Sequence, residues 1–212
     1  MQTDELIADL AGGSRRHAAG ATVPFGAVAA FALLVGFGVF MLLLGPRPDF
    51  VASLATPRFD VKFVETGLLA AAAIAVLAGL ARPARPWRER LGWFAVPAIV
   101  LGLAVAAELA SVPEHLWAAR AIGSNAKNCL LAIPTIGMPV LAVLLFALSR
   151  QAPTRPRLTG AIAGFASAGI AAAFYAAHCT DDSPLFVAIW YPLATLVLVA
   201  AGAVAGGRML RW

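Results

Sequence analysis

Two cysteines, three histidines and eleven carboxylates are the residues of this chain able to do thiol, redox or metal chemistry, and several of them fall at matching positions. Cys129 opens one long apolar block and Cys179 follows the end of the next. His178 precedes Cys179, Asp181 and Asp182 follow it, and His115 lies in the polar stretch before Cys129. Thiolate and imidazole suit Zn²⁺ or copper, and two of each complete a tetrahedral ligand count. Two thiols alone can instead close a disulfide or respond to oxidant. Against a metal site, no C-x-x-C spacing pins the set together, and helix neighbours such as 178 and 179 point about 100° apart unless the helix has ended. A disulfide would close about 50 residues and contribute about 4 kcal/mol in a soluble protein, less where a membrane already confines both ends. A structural disulfide, a thiol switch for oxidant or soft metal, and two unrelated buried thiols all stay open at this level.

The elements that hold these residues follow from composition. Of 212 residues 61% are apolar and 13% charged, far from the soluble norm of about 25% charged. The apolar residues are grouped into six blocks, 25–45, 63–81, 92–111, 130–149, 158–178 and 185–206, each near the length at which a helix crosses a hydrocarbon core. They are too long and too rich in Ala and Leu for barrel strands. Pro97, Pro134 and Pro139 do not exclude helix, because neighbouring groups in a bundle satisfy the freed carbonyls. The fold class expected is an all-α integral membrane protein of six spans with short loops. The division expected is an amino-terminal segment 1–24 and a membrane domain 25–212, and nothing resembles a cleaved signal peptide.

Six spans put both termini on one side, and the basic residues say which. The flanks sharing a side with the termini carry eleven basic and four acidic residues, net +7; the opposite flanks carry five and seven, net −2. By the positive-inside rule both termini are cytoplasmic, and Cys129, Cys179, His115 and His178 lie at the outer surface. The net charge of +5 therefore reflects topology, and no basic arm or face points to direct nucleic-acid binding. Glu65 and Glu108 lie near the outer boundary, where pairing with Lys62, Arg120 or Lys127 accounts for them. No span has a charge near its centre, which argues against a proton-coupled pump. Trp190, Tyr191 and Pro192 read as an interfacial belt with a kink.

Within the amino-terminal segment Thr3 can cap a helix start that Asp4 and Glu5 favour, and Gly12 and Gly13 stop it. Leu6, Ile7 and Leu10 form one apolar stripe. Two turns do not persist alone in water, so a partner or the lipid surface must order them.

The Thr3-Asp-Glu-Leu-Ile7 start, the lone Cys129 opening the fourth span, and Tyr175-Ala-Ala-His178-Cys179 followed by Pro184 and Trp190-Tyr191-Pro192 together resemble the NrsF-type membrane anti-sigma factors of Gram-negative bacteria. That resemblance implies a protein of the bacterial inner membrane. Its partner would be an extracytoplasmic-function sigma factor, held by the cytoplasmic segment through Asp4, Leu6, Ile7 and Leu10. Cys129 and Cys179 would be the periplasmic-side sensor of oxidant or soft metal. The stretch Gly12-Gly13-Ser14-Arg15-Arg16-His17 is shorter, and poorer in Pro and Arg, than the corresponding stretch of that family often is.

The reading is then transmembrane signalling without catalysis and without a required cofactor. Zn or Cu is the only metal the residues suggest, with His115, His178, Asp181 and Asp182 as accessory ligands to the two thiols. A periplasmic-side metal carrier should repeat its ligands through the bilayer depth, and these stop at one surface. A membrane thiol oxidoreductase usually needs a second cysteine pair. A scaffold subunit predicts only that the cysteines are dispensable.

Overall fold

Glycine and alanine dominate the fifth apolar block, and a helix with so little side chain can let several others approach its backbone. In the computed structural model, which describes Thr3 and residues 24–81, 87–151 and 153–211, that is its place. The described elements are α1 (Phe25–Leu43), α2 (Phe50–Ser53), α3 (Pro57–Leu80), α4 (Ala95–Ser111), α5 (Trp117–Ile122), α6 (Ala126–Ser149), α7 (Pro156–Ala176) and α8 (Pro184–Met209). A 3₁₀ turn, Glu89–Phe94, leads into α4, and another, Glu114–Leu116, into α5. Six helices, α1, α3, α4 with its 3₁₀ lead, α6, α7 and α8, are long and apolar enough to cross a membrane, and they alternate in direction. No strand occurs among the described residues. The amino-terminal residues Asp4, Leu6, Ile7 and Leu10 lie outside them.

Helix α7 is the centre. Of its apolar window 72% is buried inside the bundle, against 11% for α4, which lies at the edge. Gly160 and Gly164 of α7 face Gly202 and Gly206 of α8 so closely that a methyl at Gly160 would fall on the Gly202 carbonyl, and one at Gly206 would sit 2.7 Å from the Gly160 Cα. Gly169 gives α3 the same access, since a methyl there would lie 2.6 Å from the Ala70 nitrogen. Between helices in lipid, where burial of apolar surface drives nothing, such backbone approach and the dispersion it allows are what holds the pair. Helix α1 packs through Gly36 against Val140 of α6 and Phe174 of α7, and Phe40 stacks on Phe174 at 5.9 Å.

Hydropathy misplaces some ends. The second span begins at Pro57, six residues before the expected 63, because Arg58, Asp60 and Lys62 look like loop while Pro57 starts a helix with its fixed φ. The fourth span begins at Ala126, so Cys129 lies in its first turn. The fifth ends at Ala176, two residues before the expected 178, which frees His178 and Cys179 from helical geometry. Pro134 and Pro139 lie within a continuous α6, and Pro192 within α8.

Candidate functional site

Cys129 and Cys179 are both free and fully buried. They lie at one end of the bundle, on the start of α6 and on the connector from α7 to α8. Asp181 joins these two elements: its carboxylate accepts the backbone N–H groups of Ser124 at 2.9 Å and Asn125 at 2.7 Å, closing the amino end of α6 from the neighbouring connector. A carboxylate is well placed there, since the helix start presents unpaired N–H groups and positive potential. The two thiols lie within electrostatic reach of each other and of Lys62. The Cys179 Sγ approaches the Asp181 carbonyl at 3.8 Å. Burial pushes the Cys179 thiol up, only partly offset by the Lys62 cation. It is thus protonated and weakly nucleophilic at neutral pH.

The backbone beside the thiol is held by two buried cations. The Cys179 carbonyl accepts Lys62 Nζ at 2.9 Å and Arg47 Nη1 at 3.2 Å. Asp182 pairs with both, at 2.5 Å from Lys62 and 3.0 Å from Arg47. Both cations also stand 5.1 Å from the centre of the Phe59 ring, which accepts cations on its face. Arg47 pairs with Asp49 at 2.8 Å and donates to Ser53. Desolvation works against the Arg47 cation, but its bonds to Asp49 and Asp182 prevail and hold its pKa above the usual value. The same bond to Arg47 holds the exposed Asp49 below the usual carboxylate range.

This knot ties the connector to α1. The Arg47 N–H donates to the Ala177 carbonyl at 3.0 Å, and His178 Nδ1 meets the Gly45 carbonyl at 2.9 Å. A carbonyl only accepts, so Nδ1 is the donor in this contact. Gly45 turns the chain there at φ +69°, a conformation open to glycine.

The accessory residues thus have other occupations. Asp181 closes α6, Asp182 neutralises Arg47 and Lys62, and His178 bonds the turn that follows α1, while His115 sits in the separate turn Glu114–Leu116. Among the described residues no three His, Cys, Asp or Glu side chains converge in a way that could hold a metal ion. Glu108 takes Arg120 at 2.6 Å, as expected, and also Arg58 at 2.7 Å and the Ser183 hydroxyl. Glu65 takes none of the partners proposed for it; its buried Oε2 has no partner among the described residues, nor have the Tyr175 and Tyr191 hydroxyls. Tyr191 is not a belt residue. It faces the interior, 6.2 Å from the Tyr175 ring and within electrostatic reach of Glu65 and both sulfurs. Trp190 donates its indole N–H to the Ala121 carbonyl at 2.9 Å, tying α8 to α5. Arg47 and Phe59 escaped the sequence reading, and Lys62 entered it only as a partner for Glu65 or Glu108, whereas it pairs with Asp182.

The model of the family described as "Negative regulator of sigma F" matches residues 8–212. A Caulobacter vibrioides (strain NA1000 / CB15N) protein named "Anti-sigma-F factor NrsF" is 36% identical over 219 residues, spanning all of both chains. An Azospira oryzae protein named "Probable anti-sigma-F factor NrsF" is 34% identical over 224 residues, again spanning all of both. No solved structure matches. With a family match over nearly its whole length and full-length relatives above a third identity, the chain belongs to the NrsF family of negative regulators of sigma F.

Proposed function

We propose that this chain is an anti-sigma factor of the bacterial inner membrane. It sequesters an extracytoplasmic-function sigma factor through its cytoplasmic amino-terminal segment and releases it when Cys129 and Cys179, on the periplasmic side, are oxidised or take up a soft metal ion. The family supports the regulator, the arginine bias supports the sidedness, and one observation carries the mechanism. The Cys179 carbonyl accepts from Arg47, which stands in the turn just past the end of α1 and also bonds the Ala177 carbonyl and Asp182 of the connector. Helix α1 leads directly into the amino-terminal segment, so a displaced Cys179 pulls on the one span continuous with the tail.

With hypochlorous acid as oxidant, the two thiols lose two electrons and two protons and form the disulfide. The oxidant leaves as chloride and water. Moving a two-state equilibrium from 1% to 99% takes about 5.5 kcal/mol of differential stabilisation, within reach of thiol oxidation or thiolate coordination.

Cys129→Ser with Cys179→Ser should abolish signal-dependent release of a co-expressed sigma factor. Capture is measured with and without hypochlorite, Cd²⁺ or Cu²⁺, and release that persists in the double variant removes the sensor role. Leu6→Asp with Leu10→Asp should release the sigma factor constitutively in a pull-down from membranes. Undiminished capture would move the contact to the inner loops.

A further inference from the structure

At the end of the bundle opposite the cysteines, α7 and α8 enclose a groove of about 430 Å³ lined by Arg157, Arg208, Arg211, Ala203, Val204 and Gly207. The three arginines are exposed, and among the described residues none of them forms an ion pair with a carboxylate. Other arginines at this end are differently occupied: Arg88 and Arg155 lie over the Trp87 ring, Arg150 over Phe146, and Arg90 bonds the Ala75 carbonyl.

The groove is shaped by more than charge. Gly207 has no side chain where the stem of Arg157 crosses α8; a methyl there would meet Arg157 Cγ at 2.9 Å. The stem thereby lies against α8 at Gly207, and Arg157 lines the groove together with the two arginines of the helix end. Gly160 and Gly206 fix the two helices in contact directly beneath. Three guanidinium forks around a small apolar floor offer bidentate donors to a phosphate, and Ala203 and Val204 leave a smooth face on which an acyl chain can lie. Basic pockets between helices at a cytoplasmic leaflet take anionic headgroups.

We infer that this groove binds the headgroup of an anionic phospholipid, its phosphate among Arg157, Arg208 and Arg211. The inference shares with the sensor reading only the assignment of this end to the cytoplasmic leaflet, and it stands or falls without the cysteines. The test uses the full chain in neutral detergent, titrated with phosphatidylglycerol, phosphatidylcholine or inorganic phosphate, and reads the unfolding temperature together with lipid retained in native mass spectrometry. Phosphatidylglycerol should bind saturably and phosphatidylcholine should not. Arg208→Gln with Arg211→Gln should weaken phosphatidylglycerol about thirtyfold, roughly fivefold per cation, whereas Arg88→Gln with Arg150→Gln removes equal charge from the same end with little effect.

Gly207→Val retains every charge, displaces Arg157 and should weaken binding about fivefold, the share of one cation, which covers the case that the double variant does not fold. Equal losses in the two double variants would reduce the effect to diffuse attraction and overturn the site. Binding of inorganic phosphate with the same arginine dependence and no preference for lipid would overturn the lipid assignment. So would unchanged lipid affinity in variants that lose the sigma factor, which would mark a protein surface.

Discussion

Gly160→Leu is expected to be the most damaging single substitution in the membrane domain, lowering stability by about 3 kcal/mol or more and leaving little folded protein. The reason is where the new atoms go. The first carbon alone lands on the Gly202 carbonyl and 2.9 Å from the Gly206 Cα, both backbone, so no rotamer relieves it and α7 and α8 must separate. Because α7 is the most buried helix and also carries α3 on its Gly169 face, a displaced α7 loosens the whole bundle. Gly67→Leu and Gly102→Leu supply the contrast: nothing lies within 4 Å of an added carbon at either position, and these variants should unfold within about 0.5 kcal/mol of the wild type. Thermal unfolding in detergent, read by the monodisperse fraction after heating, checks the difference. Equal behaviour of the three variants would show that the glycine seam does not hold the pair.

Asp182→Ala should cost about 3–5 kcal/mol, because it removes the shared counter-charge of two buried cations. Lys62 is 1% exposed and, among the described residues, has no other carboxylate within pairing distance. Arg47 keeps Asp49. Asp49→Ala, at a carboxylate whose side chain is 59% exposed and whose pairing is screened by water, should cost far less. Lys62→Met combined with Asp182→Leu should recover much of the loss, since no unpaired charge then remains at Lys62. The recovery is measured as a double-mutant cycle on unfolding temperature. A functional readout goes with it: loosening the Cys179 carbonyl from α1 should blunt the response of sigma-factor release to hypochlorite even where both thiols are intact. A full response in a folded Asp182→Ala variant would show that the knot is structural only.

The number of apolar helices and roughly where each lies were legible in the residues, because a helix in lipid must be apolar along its whole length and that requirement is local. So was the meeting of Cys129 and Cys179 at one end, which follows from counting turns of the chain. The occupants of that end were not legible. Asp182 and Lys62 are 120 positions apart in the chain and Asp182 and Arg47 are 135, and nothing in the vicinity of any of them marks the others. Carboxylates beside two cysteines read as metal ligands, yet the same oxygens serve equally well to close a helix start or neutralise an arginine, and which they do depends on what the neighbouring helices bring. Lys62 and Glu108 likewise look like solvent-facing residues near a boundary until packing buries both and supplies partners from other loops. Hydropathy is a property of one segment, whereas pairing of charges and contact of glycine backbones are properties of two. The residues alone therefore determined that this is a six-span helical chain with its thiols at one end, and only the tertiary structure decided that α7 is the centre and that α1 is bound to the segment bearing Cys179.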